Sequence, residues 1–189
     1  MSKTILHEGK FLQLVDKNGW EFVERKNSHG VVGVIAFTTD NNLLLVEQHR
    51  IPLCMDTIEL PAGLIDRKEI PICAAVRELR EETGYAAENA VYLFEGSSST
   101  GLTSETIDIF LATECRKISE GGGIPEEGEK IIVHPVSFEE IDSFLENQEK
   151  DGKMIDLKVR MTVAMWKANG GNGIPKPNRW TGSLEVEHA

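Results

Sequence analysis

Apolar and polar side chains alternate with a period of two at residues 11–15 (Phe-Leu-Gln-Leu-Val) and 20–25 (Trp-Glu-Phe-Val-Glu-Arg), on either side of the turn-forming Asp16-Lys17-Asn18-Gly19. That pattern predicts an N-terminal β-hairpin. Residues 31–37 are rich in β-branched side chains and largely apolar, as in a strand covered on both faces. The polar turn Thr39-Asp40-Asn41-Asn42 leads to a strand at 43–48, and a short strand at 57–60 runs into a loop opened by Pro61-Ala62-Gly63. The period then changes. Ile72, Val76, Leu79 and Thr83 fall on one helical stripe, with Pro71 suited to the first turn and Gly84 to the end. Strands resume at 91–95, 106–112 and 130–136, the last two separated by a glycine-rich acidic loop at 121–129. Ser137 and Glu140 have capping-box spacing for a helix reaching about Gln148, and Asp156 is placed to cap another that ends near Gly170. This succession of strands, a helix, further strands and two closing helices predicts an α/β fold: a sandwich of mixed strands with helices packed on them, as a single domain over residues 1–170. Residues 171–189, rich in Gly, Pro and Asn, are expected to form an irregular tail.

A chain of 189 residues can bury a substantial core. Its net charge of −11 argues against a protein that grips nucleic acid through phosphates, although local cations still allow an acidic enzyme to bind a polyanion. The longest apolar runs are far too short to span a bilayer, and the N-terminus lacks the apolar stretch of a signal peptide. Cys54, Cys73 and Cys115 are scattered singly, without metal spacing, which fits reduced thiols in a cytoplasm.

The chemistry concentrates between Gly63 and Tyr85. Glu78, Glu81 and Glu82 stand at i, i+3 and i+4, so their carboxylates share one helix face. Like charges at that spacing repel by about 0.2–0.5 kcal/mol per pair, so stability alone gives no reason for the grouping. One reading is a solvated acidic face partly neutralised by Arg77 and Arg80. The other is a site for a hard divalent cation, which carboxylate and carbonyl oxygens suit and which bridges to substrate phosphates.

The stretch resembles the Nudix box: Gly, five residues, Glu, seven residues, Arg-Glu, an apolar residue, any residue, Glu-Glu, any residue, Gly and an apolar residue. Here these are Gly63, Glu69, Arg77, Glu78, Leu79, Glu81, Glu82, Gly84 and Tyr85, and every fixed position matches. The resemblance implies a Nudix-type α/β/α sandwich that uses Mg²⁺, with Mn²⁺ as an alternative, to hydrolyse a nucleoside diphosphate linked to another moiety. By that analogy Glu78 and Glu82 are the main metal ligands, Glu81 assists them, and the Ala62 carbonyl completes the site. Glu69 would orient Arg77 and the loop. Such metals would neutralise the diphosphate and activate the attacking water.

From about residue 8 to 167 the chain is similar to the branch of that family that acts on ADP-ribose and nucleotide sugars. In that branch aromatic rings near the N-terminus sandwich the base, partly from the second subunit of a swapped homodimer. Phe11 and Trp20 would be the matching rings and Glu21 a hydrogen-bond acceptor for the base; core or dimer packing is the other reading of the two rings. Arg50 would reach the diphosphate, and Glu59 would hold Arg50 or a substrate hydroxyl. The resemblance places a catalytic base in the 121–129 loop, where Glu127 and Glu129 match best, with Glu126 and Glu105 behind them, and the glycines would let that loop close over substrate. His134, in a strand before Pro135, is expected to be structural. One departure touches specificity: where many ADP-ribose pyrophosphatases carry a Pro before a Gly, this chain has Thr100 before Gly101. That leaves ADP-ribose, other ADP-sugars and GDP-mannose open. A dinucleoside polyphosphate or nucleoside triphosphate hydrolase, and a non-catalytic nucleotide sensor, are the rival functions; sensors of this kind commonly lose box carboxylates, and none is lost here.

Overall fold

The structure, a computed structural model, describes residues 3–27, 29–123 and 130–174. Three strands open the chain, β1 (Lys3–Glu8), β2 (Leu12–Lys17) and β3 (Trp20–Arg25), paired antiparallel in the order β1-β2-β3. The expected hairpin is thus the second half of a three-stranded meander. Asn18 and Gly19 both take positive φ at its turn, 60° and 80°, which lets a two-residue turn follow the twist of the strands. All six residues of β1 are exposed, so no buried face imposes a period on that strand and its sequence shows none.

A second, mixed sheet contains β4 (Val31–Thr38), β5 (Leu43–Arg50), β6 (Met55–Glu59), β7 (Ala62–Leu64), β8 (Tyr85–Ala86), β9 (Asn89–Ser97), β10 (Thr106–Lys117), β11 (Ile132–Val136) and β12 (Met154–Ile155). β4 and β5 pair at one place, Phe37 opposite Leu43, beside the polar turn that joins them. Beyond that pair the sheet parts into two arms, β7-β4-β10-β9 and β11-β5-β6-β12. The chain crosses between the arms at Leu60-Pro61, where the Val34 amide donates to the Pro61 carbonyl at 2.8 Å.

Both faces are covered by helices. Val32, Val34 and Ala36 of β4 pack with Ile72, Ala75 and Leu79 of α1 (Pro71–Thr83). The intervening Ile35 and Phe37 pack with Ile141 and Leu145 of α2 (Ile141–Lys150) and with Val159 and Trp166 of α3 (Leu157–Ala168). β10 divides the same way, Phe110 and Ala112 to one side, Ile109 and Leu111 to the other. Burial on both faces is why these strands read as nearly continuous apolar runs. Ser137 donates to the Glu140 carboxylate at 2.8 Å, yet α2 begins only at Ile141, after a turn that the capping-box spacing did not foretell. Asp156 caps α3 as expected, accepting from the Lys158 amide at 2.7 Å. The described start of the tail, without helix or strand, is packed on the fold: Gly171 lies so close to the Phe138 ring that a Cβ would come within 2.8 Å, its carbonyl accepts from the Trp166 indole, and Ile174 is buried. Residues 175–189 lie outside the described residues. Among the described residues no helix is long and apolar enough to cross a membrane. All three cysteines are free thiols, and burial pushes the Cys115 thiol up to about 12, which keeps it protonated and inert.

Glu47, on the β5 face toward α2, ties three elements together. Its carboxylate lies 2.9 Å from Nε2 of His134 on β11 and 2.7 Å from Nζ of Lys153, between α2 and β12. An ionised carboxylate only accepts, so that histidine nitrogen carries a proton. Burial opposes the charge, but hydrogen bonds from Lys153 and His134 outweigh it and hold the carboxyl below the ordinary glutamate range. A depressed folded-state value contributes stability above the unfolded value of about 4.3 and loses it as pH falls through the folded value. Glu47→Ala is therefore expected to cost about 1–3 kcal/mol near neutral pH, and the gap to the unaltered protein to narrow below about pH 4 in thermal melts taken across pH.

Candidate functional site

α1 crosses the sheet over β7, and the site forms where the two meet. β7 is fastened to β4 by the pairs Val31–Leu64, Val32–Gly63 and Gly33–Ala62, so the Ala62-Gly63 backbone is held flat beneath the helix. The Glu78 carboxylate descends onto it: a Cβ on residue 63 would lie 2.0 Å from that carboxylate. Only glycine permits this approach. One turn on, Glu82 is 5% exposed and accepts a hydrogen bond from the Ala62 amide at 2.9 Å. Glu81 stands nearer solvent on the same side of the helix.

Arg77 organises the acids. Its Nε and Nη2 grip both oxygens of Glu69 at 3.0 and 2.9 Å, Nη1 reaches Glu78 at 2.8 Å and Glu81 at 3.0 Å, and Nη2 also donates to the Leu64 carbonyl at 2.9 Å. Glu69 additionally accepts from the Asp66 amide, which folds the loop before α1 onto the guanidinium. The hydrogen bonds from Arg77 hold the Glu69 carboxyl below its ordinary range, and those to Glu69, followed by those to Glu78 and Glu81, raise the arginine further above its own. One cation thus offsets three carboxylates in this structure. Among the described residues no three acids, histidines or cysteines converge on one point as they stand, because Glu78 and Glu81 turn toward Arg77. The donors nevertheless suit a hard divalent ion: carboxylate oxygens on one helix face against a backbone turn held open by a glycine.

A second charged pair stands close by. Arg50, at the end of β5, forms a two-toothed pair with Glu59, Nε to Oε1 and Nη2 to Oε2 both at 2.7 Å, and the Thr57 hydroxyl donates to the same carboxylate. Burial opposes the Glu59 charge, but Arg50 and Thr57 prevail and its carboxyl lies below the ordinary range. Glu59, then Glu82 and Asp156, push the Arg50 guanidinium upward, which places it in the field of the buried site carboxylate.

The far end of α1 is fastened by backbone alone. Gly84 closes the helix at φ 73°, and the amides of Gly122 and Gly123 donate to the carbonyls of Glu82 and Glu81 at 2.8 and 3.2 Å. A Cβ on Gly84 would strike the Ser119 carbonyl oxygen at 2.3 Å, and one on Gly121 the Thr83 backbone at 2.3 Å. At positions 121–123 the glycines of the acidic loop leave room for its backbone to lie against the end of α1 and bond to it. Glu126, Glu127 and Glu129 lie outside the described residues. Glu105 forms an ion pair with Arg25 at 2.6 Å, a contact between residues eighty positions apart that no local pattern signals.

Phe11 and Trp20 are each 64% exposed and lie at opposite ends of the meander, about 20 Å apart at 3.3 Å per residue along β2. Within one chain they do not face each other, and a sandwich built from them needs a second copy. The meander docks instead on its own chain's β9–β10 loop: the Val23 amide donates to the Leu102 carbonyl at 2.8 Å and the Trp20 indole reaches the Gly101 carbonyl at 3.4 Å. Glu21, on the same strand as Trp20, is exposed. That loop carries Thr100, the residue that departs from the pyrophosphatase pattern.

The family model for the NUDIX domain matches residues 27–157, which include α1 with its acids, the Ala62-Gly63 turn and the Arg50–Glu59 pair. The chain belongs to the Nudix family. Among the Nudix relatives it resembles is the ADP-ribose pyrophosphatase of Bacillus subtilis, 34% identical over 64% of this chain and 64% of that protein. A GDP-mannose pyrophosphatase of Pectobacterium atrosepticum is 32% identical over 68% of this chain and 69% of its own length, and a methanol dehydrogenase activator of Bacillus methanolicus is 33% identical over 67% of this chain and 68% of its own length. A crystal structure of an ADP compounds hydrolase shares the fold, with a TM-score of 0.57 at 22% identity, over 76% of this chain and 81% of that one.

The Gly63 contact generates a direct test. Gly63→Ala forces the flexible end of Glu78 aside without touching the core, so folding should be retained, while metal affinity and turnover fall about 10–100-fold. Calorimetric Mg²⁺ titration and steady-state rates check this.

Proposed function

We propose that this chain is a Mg²⁺-dependent pyrophosphohydrolase that cleaves the diphosphate of a nucleoside diphosphate linked to a sugar, releasing a nucleoside monophosphate and a sugar phosphate. The observation that carries the reading is the meeting of Glu78 and Glu82 with the Ala62-Gly63 backbone, with Arg50 in the field of Glu82. Glu78, Glu82 and the Ala62 carbonyl would hold the metal, with Glu81 joining once it leaves Arg77. The bound ion supplies charge neutralisation at the diphosphate and an acidified water. Arg50, aimed by Glu59, offers its remaining guanidinium donors to a phosphate oxygen, a geometry that suits arginine better than lysine. Arg77 and Glu69 hold the loop and helix in register. Proton removal from the attacking water falls to Glu81 or Glu82 on the helix, or to Glu127 or Glu129 in the acidic loop.

Relatives named for ADP-ribose and for GDP-mannose support a nucleotide sugar as substrate, and the Thr100-Gly101 loop, hydrogen-bonded to Trp20, is where this chain's choice between them would be set. Phe11, Trp20 and Glu21 would contact a base only across a homodimer, since the two rings stand apart in one chain. Sedimentation is expected to show that dimer; a fully active monomer would remove the three residues from substrate binding.

With millimolar Mg²⁺ and a panel of nucleotide sugars, mass spectrometry in ¹⁸O-labelled water should find label in one of the two monophosphate products, and chelation should stop the reaction. Glu82→Gln keeps an acceptor for the Ala62 amide and so should fold, yet lose about 100-fold or more in turnover, as expected when several kcal/mol of metal-borne stabilisation disappear. Unchanged turnover in this variant would sink the assignment.

A further inference from the structure

Beneath the Arg50–Glu59 pair lies Thr57, on β6 two residues before Glu59, so that both side chains project from the same face of the sheet. Thr57 is 3% exposed. Its hydroxyl has two acceptors within reach, the Glu59 carboxylate and, at 3.2 Å, the Gln48 carbonyl on the neighbouring strand. A hydroxyl carries one proton, and the nearer, charged acceptor takes it. Valine would meet every other demand of this position: nearly the same volume, the same β-branched fit to a strand, and no polar atom to bury. Burying a hydroxyl is costly unless it is bonded. The polar atom of Thr57 is therefore explained by what it holds.

What it holds governs Arg50. That residue closes β5, where the chain leaves the sheet for the exposed turn Ile51–Leu53, and its side chain is 41% exposed. Glu59 grips the guanidinium through Nε and Nη2, so the plane of the carboxylate sets the plane of the guanidinium. A glutamate carboxylate ends a chain of rotatable bonds and needs a fixed donor of its own. Thr57 supplies it from a buried strand that restricts its χ1, and Oε1 accepts from Thr57 and from Arg50 Nε together. Burial disfavours the Glu59 charge, and hydrogen bonds from Arg50 and then Thr57 restore it, with Lys158 adding its field. When a phosphate draws on Arg50, Thr57 is the hydrogen-bond donor that stays.

We propose that Thr57 is a positioning residue for the substrate: its hydroxyl fixes the Glu59 carboxylate and, through it, the angle at which Arg50 meets the diphosphate. The inference rests on the hydrolase reading above, with Arg50 as its phosphate contact. Thr57→Val removes the hydroxyl and keeps the packing, whereas Thr57→Ser keeps the hydroxyl and removes a methyl. KM for ADP-ribose should rise about five- to tenfold in Thr57→Val with kcat little changed, and stay near the unaltered value in Thr57→Ser. A role in packing predicts the reverse order, and finding Thr57→Ser the damaged variant would overturn the proposal. In an Arg50→Ala background Thr57→Val should raise KM no further, because the contact it aims is gone. A full additional rise there would also overturn it. Should Thr57→Val fail to fold, Thr57→Ala takes its place against Thr57→Ser. Calorimetric titration of ADP in Ca²⁺ repeats the comparison without turnover: affinity should fall in Thr57→Val and not in Thr57→Ser, and equal affinities would remove Thr57 from positioning while leaving the hydrolase intact. An unaltered protein that binds ADP yet cleaves no nucleotide sugar in Mg²⁺ would defeat the hydrolase reading, and the ADP comparison would then decide Thr57 by itself. Neither binding nor cleavage would overturn both.

Discussion

Negative charge is packed on α1 at a density the helix cannot carry unaided, and the rest of the site is arranged around keeping it there. Glu78, Glu81 and Glu82 repel one another, and two of them are brought against the Ala62-Gly63 backbone, where water can do less to screen them. Arg77 answers from within the same helix. Its guanidinium is shared among three carboxylates and the Leu64 carbonyl, so a single side chain neutralises the cluster and folds down the loop before it. A lysine there would offer one point of charge, without the fork that reaches four acceptors at once. The arrangement is poised: a divalent ion entering between the acids would compete with Arg77 for Glu78 and Glu81 and would leave Glu69 as its remaining carboxylate partner.

The two arms of the sheet supply the space in which this chemistry can be addressed. Because β4 and β5 pair only beside their turn, the arms part toward the end that bears Ala62, Arg50 and the first turn of α3. The α1 face of the sheet presents carboxylates there; the opposite face presents apolar side chains.

Much of this was legible in the sequence where the cause is local. Pro71 and Gly84 punctuate α1 because one lacks an amide proton and the other tolerates φ 73°, so its bounds could be read to within one residue. β4 and β10 announced themselves by apolar runs that burial on both faces requires. The seven fixed box positions single out Gly63, Glu69, Arg77 and the acids from sequence alone. The remainder depends on partners far away in sequence. β7 and β12 have three and two residues, too few to carry a period. β10 runs on to Lys117 through an irregularity after Ala112, beyond the end its apolar residues suggested. Arg25 and Glu105 are each unremarkable in isolation, and only the folded chain brings them together. Glycines at 121–123 read correctly as a break in regular structure, but composition alone could not distinguish freedom to move from room for another backbone.

That last distinction has a consequence for how such a protein can diversify. The Gly122 amide is bonded to the Glu82 carbonyl and its own carbonyl receives the Ile131 amide at 3.2 Å, so the described backbone on the two sides of residues 124–129 is tied into a closed neck at the end of α1. Chain inserted or removed inside a neck of this kind costs little, since closure entropy grows only slowly with length. Changes in length between Gly122 and Ile131 would therefore leave α1 and its acids in register.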